Sequence, residues 1–75
     1  MQVRVRYFAF LRERQGRDED TIDLAAGATA ADAYHFLALP AELPVAFVVN
    51  LERVQPSQVL HEGDELAFLP PVGGG

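Results

Sequence analysis

Thr29-Ala30-Ala31-Asp32-Ala33-Tyr34-His35-Phe36-Leu37-Ala38-Leu39-Pro40 is the stretch whose apolar residues sustain a helical period, and its place among strands decides the fold class. Thr29 followed three residues later by Asp32 resembles a capping box with Asp in place of Glu. Ala30, Ala33, Tyr34 and Leu37 then recur at helical spacing, so a helix is expected over Ala30 to Leu39, stopped by Pro40. Upstream, Val3, Val5 and Tyr7 alternate with Arg4 and Arg6, the period of a half-buried strand. That register blurs over Phe8-Ala9-Phe10-Leu11, and polar Arg12 to Asp20, with Gly16, reads as a loop with room for one helical turn. Thr21-Ile22-Asp23-Leu24 makes a second short strand, and the chain turns near Gly27. Downstream, Val45 to Val49 is a dense apolar strand, Asn50 opens a turn, and Val54 begins a short return strand that Pro56 ends. His61-Glu62-Gly63-Asp64 is a turn by composition, and Glu65 to Leu69 is a last strand with Leu66 and Phe68 on one face.

An opening hairpin, one main helix and then further strands predict an α+β fold with the helix on one face of a mixed sheet. Passing from the second strand through a helix suits a β-grasp, in which the first and last strands lie side by side. The pattern alone leaves that pairing open.

The chain has 75 residues, enough for one domain, and a domain this small buries about 60% of the surface its unfolded chain exposes. A large catalytic pocket of its own is not expected. The absence of Cys excludes a disulfide framework, a thiol nucleophile and a thiolate metal site. At 49% apolar and 23% charged residues, the composition is that of a globular protein rather than a disordered one. The apolar run Val45 to Val49 falls far short of the ~20 residues a membrane span needs, and Arg4 and Arg6 interrupt any signal-like N-terminus. A cytoplasmic protein with no membrane partner is therefore expected. Six basic residues against eleven acidic ones give a net charge of −5, which argues against nucleic acid and for a partner with positive charge. All six basic residues are Arg, at positions 4, 6, 12, 14, 17 and 53. Without Lys, no Schiff base or side-chain isopeptide bond can form on this chain.

Candidate chemistry is sparse. His35 and His61 lack a partner at metal-ligand spacing and read as solvated side chains. Glu62, Asp64 and Glu65 form a carboxylate cluster that a polar turn explains equally well. Ser57, the single serine, has no His nearby in sequence to activate it, and Gly16 and Gly63 belong to turns. No metal or bound cofactor is expected.

The exception is Pro70-Pro71-Val72-Gly73-Gly74-Gly75. With glycine at about 7% of ordinary usage, three in a row at the end arise by chance on the order of three times in ten thousand. A merely disordered end is the bland alternative. Pro-Pro favours an extended path at ~3.1 Å per residue, so six residues reach about 19 Å. Glycines without Cβ thread narrow channels, so such a tail is suited to delivering the Gly75 carboxylate into another protein's active site. That carboxylate, with an ordinary pKa near ~3.5, is ionised and a poor electrophile. A separate nucleotide-binding enzyme would have to activate it with ATP, most simply as an acyl-adenylate.

Tyr7-Phe8-Ala9 with Arg12-Glu13 and Gly16, Val48-Val49-Asn50, and above all Gly63 to Val72 running into the terminal glycines resemble the small subunits of molybdopterin synthase, the MoaD-like proteins. The resemblance implies a ubiquitin-like β-grasp over residues 1–71, a flexible glycine tail over 72–75, and a sulfur carrier that is not catalytic alone. It implies that Gly75 is adenylated by a ubiquitin-activating-type enzyme and converted by a sulfurtransferase system to a thiocarboxylate. Gly74, Gly73 and Val72 would give passage into the large subunit, in an assembly of two small and two large chains. There the sulfur would pass to cyclic pyranopterin monophosphate, two rounds building the dithiolene of molybdopterin. Phe8, Arg12, Phe68, Leu69, Pro70 and Pro71 would fall in the partner-binding region. Phe68 shares a strand face with Leu66 and so also reads as core, Phe8 and Leu69 face the other way, and Arg12 is equally a solvated loop residue. The short helix with a short segment after it, Gly73 before the glycine pair, and Leu69 where an aromatic is common depart from the family pattern. A thiamine-pathway sulfur carrier, a ubiquitin-like modifier and an inert ubiquitin-like domain remain the alternatives.

Overall fold

In a computed structural model that describes residues 1–40 and 44–70, five strands form one mixed sheet whose order across the sheet is second, first, fifth, third, fourth. β1, Gln2–Tyr7, shows the alternation expected of it: Val3, Val5 and Tyr7 are buried while Gln2, Arg4 and Arg6 face solvent. It pairs antiparallel with β2, Glu19–Asp23, and parallel with β5, Glu65–Leu69, in the register Val5↔Leu66 and Tyr7↔Phe68. The first and last strands therefore do lie side by side, as a β-grasp requires. β5 also pairs antiparallel with β3, Ala46–Val49, which turns into β4, Glu52–Val54. The turn Asn50-Leu51 puts both residues at positive φ, +49° and +72°, which is the twist-matched two-residue hairpin connection.

Between β1 and β2 the chain makes a six-residue helix, α1, Phe10–Gln15, where the residue pattern suggests a loop with one turn. The apolar run Phe8 to Leu11 blurs the strand period because the chain leaves the sheet there, through Ala9 at φ +52°. Leu11 is the residue α1 buries, and Gly16 ends the helix in the left-handed region, its N–H donating to the Arg12 carbonyl at 2.9 Å. β2 begins at Glu19, two residues before the apolar pattern suggests. Glu19 and Asp20 pair with Arg6 and Val5, so the ladder overrides their poor strand propensity.

α2, Ala30–Phe36, opens with the expected box: the Asp32 N–H donates to Thr29 Oγ1 at 3.2 Å, and the Thr29 N–H to Asp32 Oδ2 at 2.9 Å. The next free N–H groups of its first turn, on Ala30 and Ala31, donate to the carbonyls of Gln58 and Pro56, tying the helix start to the segment before β5. The helix ends at Phe36, short of the Leu39 that periodicity suggests. Ala38 turns left-handed at φ +56°, which lets Leu39 fold back into the core, and the Tyr34 hydroxyl donates to the Pro40 carbonyl at 2.6 Å. Burial raises the Tyr34 hydroxyl pKa above its ordinary value.

The core lies between α2 and the inward sheet face, from Val3, Val5, Leu11, Ile22, Ala33, Tyr34, Leu60, Leu66 and Phe68 among others. Tyr34, Phe47 and Phe68 meet edge-on in a triad, with ring centroids 5.2 to 5.8 Å apart. Among the described residues no helix is long and apolar enough to cross a membrane.

Candidate functional site

β5 is the middle strand of five, held by a ladder on each side, and the chain beyond it carries the glycines. Phe68 is a strong strand former and locks the strand by complete burial, at 0% exposure, as does the fully buried Leu66. Of the two places its sequence position suggests, core or partner contact, the Phe68 side chain takes the core. Pro70, half-buried, is the last described residue of this run; Pro71, Val72, Gly73, Gly74 and Gly75 lie outside the described residues.

Leu69 stands on the sheet face away from α2, in register with Ala46 of β3, and is half-buried. Phe8 follows Tyr7, whose partner is Phe68, so Phe8 leaves β1 at the level of Leu69. It is 36% exposed, with the Arg6 guanidinium 5.7 Å from its ring centroid. Arg12 lies on α1, exposed, its Nε 3.9 Å from Asp18 Oδ1 at the surface, a weak pair. The structure thus groups Phe8 and Leu69 at the end of β5, with Arg12 on the adjoining helix.

The rest of this open face is not apparent in the sequence. Ala67 and Val48 continue the apolar surface from Leu69 and Ala46, and Arg6 and Arg53 flank them in the same cross-strand row. The alternation in β1 already turns Arg6 outward, but Arg53 joins it only once the strand order is known.

The other candidates resolve into structural hardware. Asp64 accepts from the His61 N–H at 2.8 Å and from Asn50 Nδ2 at 2.9 Å, while the Glu65 N–H donates to Asn50 Oδ1. Glu62 Oε1 accepts from the Gln2 N–H, tying the turn before β5 to β1. His35 and His61 are exposed, as expected. Among the described residues no three His, Asp or Glu side chains converge as a metal would need. The shifted groups lie away from the face: burial first, then Asp20, pushes the Tyr7 hydroxyl pKa up, while the hydrogen bonds from Thr29 hold Asp32 below the usual carboxylate value.

Known proteins share this architecture. The model of the ThiS family matches residues 5–75. A molybdopterin synthase sulfur carrier subunit from Chlamydomonas reinhardtii is 41% identical, with all of both chains covered. Among solved structures, a putative molybdopterin converting factor subunit 1 from Pyrococcus furiosus superposes with a TM-score of 0.85 at 29% identity, over 96% of this chain and 99% of that one. SAMP1 from Haloferax volcanii superposes with a TM-score of 0.82 at 26% identity, over all of both chains.

Proposed function

The chain belongs to the ThiS family, and from that premise we propose that it is the sulfur carrier subunit of a molybdopterin synthase. The full-length identity to a subunit of that description is the observation that carries the reading. The placement of β5 supports it, because the strand that leads into the glycine-rich end is the central one, held by a ladder on each side.

In this reading the Gly75 carboxylate attacks the α-phosphorus of ATP on a separate adenylating enzyme, and pyrophosphate leaves. A sulfurtransferase system supplies the sulfur that displaces AMP, giving a thiocarboxylate. Sulfur becomes a nucleophile at the chain end although the carrier has no Cys. Phe8 and Leu69, with Arg12, Pro70 and Pro71 near the exit, dock on the large subunit of the synthase. Val72, Gly73 and Gly74 pass down its channel, where sulfur transfers to cyclic pyranopterin monophosphate and a second round completes the dithiolene. No resident cofactor is needed by this chain, since ATP is consumed on the activating enzyme.

The test is the intact mass of the chain after incubation with ATP, the adenylating enzyme and a sulfur source. An oxygen-for-sulfur exchange at Gly75, reversed on adding the large subunit and its pterin substrate, is expected. A thiocarboxylate that never forms, or that the large subunit cannot discharge, overturns the proposal. The likeness to the small archaeal modifier protein 1 of Haloferax volcanii, which is SAMP1, favours a second reading, attachment to target amines, and a ladder of conjugates in cells would replace sulfur donation with it.

A further inference from the structure

One row of the open sheet face runs Glu19, Arg6, Ala67, Val48, Arg53, each residue directly opposite the next across β2, β1, β5, β3 and β4. Two small apolar side chains are thereby bracketed by two arginines about 14 Å apart, three strand spacings. The neighbouring row places Arg4 opposite Glu65, and those two neutralise each other at 3.5 Å. Arg6 and Arg53 take no ion-pair partner among the described residues. Four of the eleven acidic residues are engaged elsewhere, Asp20 beside Tyr7, Asp32 at the start of α2, and Glu62 and Asp64 in the turn before β5, while Glu19 stands opposite Arg6 at the β2 end of the row without forming an ion pair with it. So the charge of −5 does not describe the apolar centre of this face.

We propose that Arg6 and Arg53 are charged clamps of the docking face, read by a partner surface whose apolar centre is flanked by carboxylates. This rests on the docking face proposed above, and the occupant is the large subunit of the synthase. A polyanion such as nucleic acid fits poorly, because the rest of the chain would repel it. Arginine suits the task, since its planar fork binds a carboxylate through two parallel hydrogen bonds.

Titration of the full chain against the large subunit, at low and high salt, tests the proposal. Arg6→Gln with Arg53→Gln should weaken binding about tenfold at low salt, mostly in the association rate, and the deficit should shrink as salt screens it. Restoring charge with Arg6→Lys and Arg53→Lys should recover part of the loss. Leu69→Ala should weaken binding with little salt dependence. If the double Gln variant binds like the unaltered chain while Leu69→Ala does not, the clamps are refuted and the docking face stands. If both bind like the unaltered chain, the docking face falls with them. If the double Gln variant binds more tightly, the partner rim is basic and the proposal is wrong. Thermal melts of each variant exclude misfolding as the cause.

Discussion

Phe68 and Leu69 are neighbours in β5 and stand on opposite faces of the sheet: Phe68 is fully buried against Tyr34 and Phe47, while Leu69 lies opposite Ala46 on the face that α2 leaves open. One residue holds the strand in place, and the other is the one we propose to meet the partner.

Substituting each by alanine should therefore separate stability from binding. Phe68→Ala deletes a core aromatic and breaks two edge-on contacts, costing about 3–5 kcal/mol of stability. Leu69→Ala should cost little stability and about 1–3 kcal/mol of affinity for the large subunit. Melts and titrations on both variants check this. An unfolded Leu69→Ala beside a normally melting Phe68→Ala would refute the facing.

Much of this arrangement is legible in the amino-acid sequence itself. Val3, Val5 and Tyr7 alternate because one face of β1 is buried, and the Thr29–Asp32 box is a local motif that needs no tertiary partner. The end of α2 is not legible, because Ala38 turns left-handed only so that Leu39 reaches the core, a tertiary demand. Nor is the pairing of β1 with β5, which depends on a contact between the two ends of the chain. The row proposed for docking is hidden for the same reason: Arg6 and Arg53 become companions only through two intervening strands. The glycine-rich end is the reverse case, since the chemistry proposed for it rests on residue types alone while 71–75 lie outside the described residues.

The β3–β4 hairpin holds Leu51 at φ +72° and 89% exposed, a conformation in which glycine is preferred and a side chain that gains almost nothing from burial. Leu51→Gly should raise stability by about 0.5–1 kcal/mol through relief of left-handed strain. Leu51→Val, branched at Cβ, should lower it. Urea midpoints of the two variants should move in opposite directions; a shared direction would show that backbone conformation does not govern this turn.

The capping box predicts an acid limb of stability. Asp32 titrates below its ordinary value of 3.8 because it accepts the Thr29 N–H and faces the Thr29 hydroxyl. A carboxylate lowered by folding contributes stability that is full above the unfolded value and lost as pH falls through the folded one. Asp32→Asn should flatten that part of the profile between roughly pH 4 and lower values. Thr29→Ala should cost about 0.5–2 kcal/mol at neutral pH by removing the cap. Denaturation midpoints across pH read both effects, and an unchanged acid limb in Asp32→Asn would assign it to other carboxylates.

Chemistry at the end of the chain should be separable from the fold that presents it. β5 is secured between β1 and β3 before Pro70, and no described contact of the core depends on Gly75. Removing Gly75, or adding one residue after it, should leave the melting temperature unchanged. Under the proposed carrier role either change should abolish sulfur transfer, because that role requires the activated carbonyl to arrive at a fixed depth in the partner's channel. A misplacement of even one ångström can cost about a hundredfold in rate, and one extended residue shifts the carbonyl by roughly 3.3–3.6 Å. The measurement is single-turnover sulfur transfer to the pterin substrate with each variant, alongside intact mass to show that no trimming has occurred. An untrimmed extended chain that still donates sulfur would place the reactive group elsewhere than on Gly75.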